Sequence, residues 1–182
     1  MNKYTEVVVL CEDLQQAVFV RAYLAERGIL PERIRVVPLP KAGAGESFVR
    51  REYPNEVRAY RKTARQKTIG LVVMIDADIQ TVEERQREME RLLQESGISA
   101  RQPVERIGVF IPRRNIETWI CFLQGQAVDE ETAYPKFRRH ESVCKPYVKT
   151  LAQNYRQPLP NHAPPSLRTA CREVTRIFPE NV

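Results

Sequence analysis

Four short apolar segments rich in valine and isoleucine constrain the fold of this chain more than any other feature. They span residues 6–11, 34–39, 70–75 and 106–111. Most of these runs are unbroken rather than alternating with polar residues, which is typical of parallel strands that are covered on both faces. Pro38 stands near the end of the second run, so we expect that strand to end early or to lie at an edge of the sheet.

Helical segments separate the four apolar runs, at residues 14–28, 46–67 and 81–97. The last segment opens with Thr81 and Glu84, which have the spacing of a capping box, and it stops at Gly97. The middle segment is rich in arginine, and we expect it to be a helix interrupted at Pro54. Strands that alternate with helices predict an α/β fold with a mostly parallel sheet sandwiched by helices.

The chain has 182 residues, which is enough for one domain with a small appendage. We expect residues 1–124 to form the α/β domain and residues 125–182 to form a basic, helical C-terminal extension packed on it. The extension is rich in proline and contains no convincing strand, but residues 166–178 carry a helical apolar stripe.

The length of the apolar runs indicates whether the chain could cross a membrane. The longest have five or six residues, far short of the roughly 20 that a membrane-spanning helix needs. The amino-terminal stretch MNKYTEVVVLCED has no secretory pattern, because its short apolar run leads directly into acids. We therefore expect a cytoplasmic protein without a membrane partner.

The formal net charge of +6 favours a polyanionic partner such as DNA or RNA. Residues 48–67 hold seven Lys or Arg against two Glu, interleaved with Phe48, Tyr53 and Tyr60. Rings placed among cations favour contact with nucleic acid. A run of this kind is nevertheless most often just a solvated helix face.

Carboxylates follow three of the four predicted strands. Glu12 and Asp13 follow the first strand, Asp76 and Asp78 follow the third, and Glu117 lies a few residues beyond the fourth. Because parallel strands end at the same edge of a sheet, we expect these acids to meet there. Clustered carboxylates repel one another, and a hard cation such as Mg²⁺ or Mn²⁺ relieves that repulsion. Taken alone, an Asp-x-Asp at a strand end more often indicates a turn.

Four stretches of the chain, VVVLCED, PKAGAGES, VVMIDAD and IPRRNIETWI, together resemble the TOPRIM domain. The resemblance covers roughly residues 4–123, and its last stretch is similar to a segment of the OLD family of nucleases and of small defence-associated TOPRIM-like proteins. It implies a Rossmann-like sheet and divalent-metal-dependent cleavage of nucleic acid. A role in anti-phage defence and an ATPase partner are further expectations, and a homodimer is left open.

By this resemblance, Glu12 is a metal ligand or a general acid and base, and Asp76 and Asp78 are metal ligands. Glu117 completes a second position for Mg²⁺ or Mn²⁺. The family usually has glycine after the first acid, whereas this chain has Asp13. The size of the chain favours a nuclease over a topoisomerase, because there is no tyrosine-bearing cleavage domain of adequate length.

Substrate contacts are expected from residues around the acidic edge. The loop PKAGAGES offers backbone amides for a phosphate, although it lacks the full pattern of a Walker loop or a dinucleotide fingerprint and is otherwise a flexible turn. Basic side chains after the fourth strand and in the extension offer charge to a phosphate, with solvated surface positions as the alternative. The candidates are Lys41, Gly43, Gly45, Arg113, Arg114 and Lys145.

Two other functions fit part of the pattern. A receiver domain also has an acidic pair after its first strand and a phosphoacceptor aspartate after its third, here Asp76. Against a receiver, the chain has no Ser or Thr directly ending the fourth strand and no lysine-bearing fifth strand. A non-catalytic module that binds nucleic acid or a partner protein fits the basic residues 48–67 equally well.

Overall fold

The computed structural model describes residues 4–41 and 44–179. Its four strands are β1 (Glu6–Leu10), β2 (Ile34–Val36), β3 (Ile69–Met74) and β4 (Ile107–Phe110). They form one sheet in the order β2-β1-β3-β4, and every neighbouring pair is parallel. The predicted parallel α/β fold is confirmed, and β2 lies at an edge and ends before Pro38.

In the described part of the chain, six α-helices connect and cover these strands. They are α1 (Leu14–Glu26), α2 (Gly45–Thr63), α3 (Val82–Glu95), α4 (Ile116–Leu123), α5 (Lys145–Gln153) and α6 (Pro165–Ile177). Short 3-10 turns precede β2 and α5, at Pro31–Arg33 and Glu141–Cys144. Within the described ranges, no helix has both the length and the apolar character needed to cross a bilayer.

The two faces of the sheet carry separate apolar layers, because successive strand residues point to opposite faces. Val7 and Val9 face a layer formed with α1, α4, α5 and α6. Val8 and Leu10 face a second layer formed with α2 and α3. Both faces are thus buried, which explains why the strands are apolar without interruption.

The start of α3 follows the prediction from its sequence. The Thr81 hydroxyl oxygen accepts a hydrogen bond from the Glu84 backbone N–H at 3.1 Å, and the Glu84 carboxylate accepts one from the Thr81 N–H at 2.8 Å. This capping box satisfies two helix-terminal N–H groups that would otherwise have no partner within the helix.

The expected interruption at Pro54 is wrong, since α2 continues through it from Gly45 to Thr63. Proline removes one helical hydrogen bond, yet Pro54 is buried with Val49, Tyr53 and Val57 on the helix face that covers the sheet. Packing of this apolar face stabilises the helix despite the missing bond.

The basic helix also differs from its predicted role as a stacking surface. Phe48, Tyr53 and Tyr60 are all buried in the apolar layer beneath α2, so their faces are covered by protein. Arg50 and Arg61 pair with acids of other elements: Arg50 lies 2.8 Å from a Glu88 carboxylate oxygen, and Arg61 lies 2.6 Å from one of Glu105. Part of the positive charge of this segment therefore joins α2 to its neighbours.

The C-terminal extension packs against the sheet layer rather than apart from it. Helix α5 lies along α1, and α6 covers β4. On the outer edge of β4, the Val109 N–H donates to the Glu173 carboxylate at 3.0 Å, and Arg101 donates to the Ile107 carbonyl at 2.9 Å. Side chains thus form hydrogen bonds with backbone groups of β4 that would otherwise be free to pair with a strand of another chain.

Candidate active site

The site lies where the chain changes direction across the sheet. β1 leads through α1 to β2 at one edge, whereas β3 leads through α3 to β4 at the other. Because α1 and α3 lie on opposite faces, the loops after β1 and β3 separate and leave a crevice between them. Glu12 follows β1 and Asp76 follows β3, so both acids stand at this crevice.

Glu12 and Asp76 are joined through Gln16 in a closed set of hydrogen bonds. A Glu12 carboxylate oxygen accepts from the Asp76 backbone N–H at 2.7 Å. The Gln16 amide nitrogen donates to Asp76 Oδ1 at 2.9 Å, and the Gln16 amide oxygen accepts from the Glu12 backbone N–H at 2.9 Å. Sequence reasoning missed Gln16, although the Asp13-x-x-Gln16 spacing at the start of α1 was a readable capping signal.

Glu117 reaches the same edge from the first turn of α4. Its side chain is fully buried, and neither carboxylate oxygen meets a donor from another side chain in the described part of the protein. Burial raises the pKa of Glu117 to about 7; its own backbone N–H and Lys136 oppose this shift, and Asp13 reinforces it. A buried carboxylate without a side-chain donor is costly, and a proton or a cation would stabilise it.

The predicted acids share one electrostatic field. Burial raises the pKa of Asp76 well above its ordinary value, and the charges of Glu12, Glu117, Asp13 and Asp78 raise it further. Burial likewise raises the pKa of Glu12 to about 7, against the hydrogen bond from Asp76, which lowers it. The structure therefore brings carboxylates from three separate crossovers close enough to disfavour full ionisation together.

Asp78 is placed differently from the other acids. It is exposed, it adopts a positive φ of 54°, and its carboxylate lies 3.8 Å from the Arg85 guanidinium. Its backbone carbonyl accepts from Arg113 at 3.1 Å and from Arg114 at 3.0 Å. These two arginines, predicted as phosphate contacts, hold the turn after β3.

Arg85 is a buried cation that sequence reasoning missed. Its guanidinium lies 2.7 Å from a Glu46 carboxylate oxygen and 2.6 Å from one of Glu88. Arg85 lies on the same stripe of α3 as Val82 and Met89, the stripe that faces the core. A charged residue on a core-facing stripe is a signal that could have identified it. The interaction ties the start of α2 to α3 beside Asp78.

An open cleft of about 670 Å³ lies in front of Glu12 and Glu117. Basic side chains line it together with the acids: Lys41 before α2, and Lys136 and Arg138 from the extension. Lys136 Nζ lies 2.8 Å from a carboxylate oxygen of Asp13, a contact the sequence did not reveal. The predicted Lys145 is exposed in the first turn of α5 and is not among the residues that line this cleft.

Gly45 lines the cleft at the start of α2, whereas Gly43 lies outside the described residues. A Cβ atom on Gly45 would stand 2.7 Å from both the Cβ and the carbonyl oxygen of Glu12. Only glycine therefore lets the positive end of the α2 dipole approach Glu12 this closely.

The donor chemistry of the acidic edge consists of carboxylate oxygens, which suit Mg²⁺ and Mn²⁺. Glu12 and Asp76 each use one carboxylate oxygen for an internal hydrogen bond. In the described residues, neither carboxylate oxygen of Glu117 has a hydrogen-bond partner from another side chain. Over the described ranges, no three or more His, Cys, Asp or Glu side chains are arranged as a group that could hold a metal ion. The bound ion therefore stays a prediction. The carboxylates suit such an ion chemically, but their side chains are not arranged as a complete coordination site.

No family model matches the chain, and no similar curated protein or solved structure was found. The TOPRIM resemblance thus stays a prediction that rests on the quoted motifs.

Proposed function

We propose that this protein hydrolyses phosphodiester bonds of nucleic acid with the help of Mg²⁺ or Mn²⁺. The observation that carries the proposal is the buried Glu117 carboxylate, which meets no donor from another side chain in the described residues. It lines an open cleft together with Glu12, and its charge acts on the buried Asp76. A divalent cation would offset the desolvation and mutual repulsion of these carboxylates. Lys41, Lys136 and Arg138 around the same cleft fit a polyanion.

In this proposal Asp76 and Glu117 would hold the ion. Mg²⁺ or Mn²⁺, when bound, supplies positive charge to phosphoryl oxygens and lowers the pKa of water. Glu12, with its pKa raised to about 7, exchanges a proton near neutral pH. In this proposal Asp78 is not the metal ligand that the resemblance implies, but shapes the turn beside Arg85. Lys136, which lines the cleft, contacts the phosphate in place of Lys145.

Nucleic acid is the substrate class that the net charge of +6 and the TOPRIM resemblance support together. The ATPase partner, the homodimer and the role in anti-phage defence stay predictions.

The experiment compares wild type with Asp76→Asn and Glu117→Gln on plasmid, single-stranded DNA and RNA, with Mn²⁺, Mg²⁺ or EDTA. Glu95→Gln, an exposed position on α3, is the matched control. We expect metal-dependent cutting by wild type and the control, and a loss of about 100-fold or more in both site variants. Mn²⁺ binding, followed by electron paramagnetic resonance, should weaken in the same two variants.

Three outcomes contradict the proposal. If the protein binds nucleic acid but neither cuts it nor binds Mn²⁺, the non-catalytic module is favoured. Stable labelling of Asp76 by acetyl phosphate favours the receiver-like function. Cutting that survives both site substitutions places the chemistry elsewhere in the molecule.

A further inference from the structure

A second cavity of about 590 Å³ lies between α1, α5 and α6, away from the acidic cleft. The two helices α1 and α5 run side by side: Gln15 contacts Cys144 at one end, and Glu26 accepts from Gln153 at the other. The acidic cleft lies at the first end, whereas this cavity lies at the second end of α1 and extends along α5 as far as Tyr147. Thirteen helical residues separate the ends of α1, which is about 20 Å at roughly 1.5 Å per residue.

Basic side chains line this cavity. Arg27, Arg168 and Arg172 line it, and no Asp or Glu is found among its described lining residues. Arg168 donates to the Asn161 carbonyl at 2.9 Å. The Arg172 guanidinium is exposed and makes no hydrogen bond or ion pair with the described residues. This lining is complementary to an anionic group.

The walls of the cavity are aromatic. The Arg27 guanidinium lies 3.5 Å from the ring centre of Tyr155 and 4.3 Å from that of Phe178, so these rings and the cation form one rigid wall. Tyr147, from helix α5, also lines the cavity and exposes 37% of its surface. The side chains of Asn154 and Gln157 add amide donors and acceptors. The walls are complementary to a flat, polar-edged ring.

We propose that this cavity binds a phosphorylated nucleotide, either free or as the end of a strand. A nucleotide combines the anionic group that the arginines match with the flat base that Tyr147 and the amides match. The volume falls within the range of roughly 300–1,000 Å³ that is usual for small-molecule sites. Arg172 and Arg168 bind the phosphate, and Tyr147 stacks on the base. Binding here is independent of the chemistry proposed for the acidic cleft.

Isothermal titration of the full chain in EDTA tests the proposal. The titrants are the four 5′-mononucleotides, adenosine, inorganic phosphate, and a trinucleotide with and without a 5′-phosphate. We expect the mononucleotides or the phosphorylated trinucleotide to bind more tightly than adenosine or phosphate alone. A preference for the mononucleotide identifies a free ligand, and a preference for the phosphorylated trinucleotide identifies a strand end.

Charge reversal by Arg172→Glu should weaken nucleotide binding by about tenfold or more, and Tyr147→Leu by a similar factor. Arg91→Glu, at an exposed position on α3, is the matched control and should leave affinity unchanged. Thermal unfolding checks that each variant is folded. Cys171, the exposed cysteine, lines the cavity, so bound nucleotide should slow its reaction with N-ethylmaleimide.

The proposal is overturned by any of three results: no nucleotide binding at millimolar concentration, equal affinity of the Arg172→Glu and Arg91→Glu variants, or inorganic phosphate binding as tightly as the nucleotides. The rate of Cys171 labelling tests the same site without calorimetry: a rate unchanged by saturating nucleotide also contradicts binding at this cavity.

Discussion

A carboxylate oxygen of Glu12 accepts a hydrogen bond from the backbone N–H of Asp76 at 2.7 Å, which joins the ends of β1 and β3. The two residues are 64 positions apart in the chain, and the parallel register of Leu10 with Val73 brings them together. The orientation of both acids therefore depends on the sheet and on Gln16, which binds each of them.

Replacing Gln16 with leucine tests this arrangement. The substitution leaves the Asp76 carboxylate oxygen and the Glu12 N–H without their buried partner, at about 1–3 kcal/mol for each unsatisfied group. We expect the free energy of unfolding to fall by about 2–6 kcal/mol in urea titrations. Gln94→Leu, at an exposed site on α3, should change it little. Equal stability of the two variants would show that the Gln16 contacts contribute nothing.

Replacing Glu117 with glutamine should make stability less sensitive to pH. The pKa of Glu117 is about 7 in the folded protein against an ordinary 4.5, so the native state keeps a proton that the unfolded chain loses. Wild-type stability therefore falls as pH rises from about 4.5 to about 7. Without metal, Glu117→Gln should gain stability relative to wild type across this window, on the order of 3 kcal/mol by pH 8.

Denaturant titrations at several pH values in EDTA measure this effect, with Glu95→Gln as the exposed control. A gain that is the same at pH 4 and pH 8 would mean that the buried carboxylate is not its source.

Adding a methyl group at Gly45 should disturb the site more than the helix. The new Cβ would stand 2.7 Å from Glu12, so α2 or the loop after β1 must move. We expect a loss of about 1–2 kcal/mol in stability and at least a tenfold loss of metal-dependent cutting. Ser47→Ala, exposed in the same helical turn, should preserve both. Full activity in Gly45→Ala would contradict the close approach.

Arg85→Leu should strongly destabilise the protein. Removing the buried guanidinium leaves the carboxylates of Glu46 and Glu88 without it, and breaking a buried ion pair in this way costs about 3–5 kcal/mol. Arg87→Leu, an exposed arginine on the same helix, is expected to stay within about 0.5 kcal/mol of wild type. Thermal and urea unfolding of the two variants measure the difference, and similar values for both would contradict the role assigned to Arg85.

Local patterns predicted the elements of this fold well. Unbroken apolar runs marked all four strands, and Thr81 with Glu84 marked the start of α3. The order of acids after the strands also predicted that Glu12 and Asp76 lie at one edge, because parallel strands all end on the same side. These features depend on neighbours in sequence or on the direction of the strands alone.

Other features could not be read from the chain because they depend on distant partners. Pro54 continues a helix, and Tyr53 is core rather than surface, because the sheet covers that face of α2. Lys136 rather than Lys145 lines the cleft, since the path of the extension decides which lysine arrives there. Arg85 is buried because carboxylates from α2 and α3 surround it.

The amino-acid sequence by itself determined a parallel α/β sheet and a row of acids at its carboxyl edge, because strand periodicity and strand direction are local properties. Only the tertiary structure decided which acids are buried, which cations meet them, and that a second, arginine-lined cavity forms at the far end of α1. Those outcomes depend on how helices from distant parts of the chain pack together, and packing sets the burial and charge that each side chain meets.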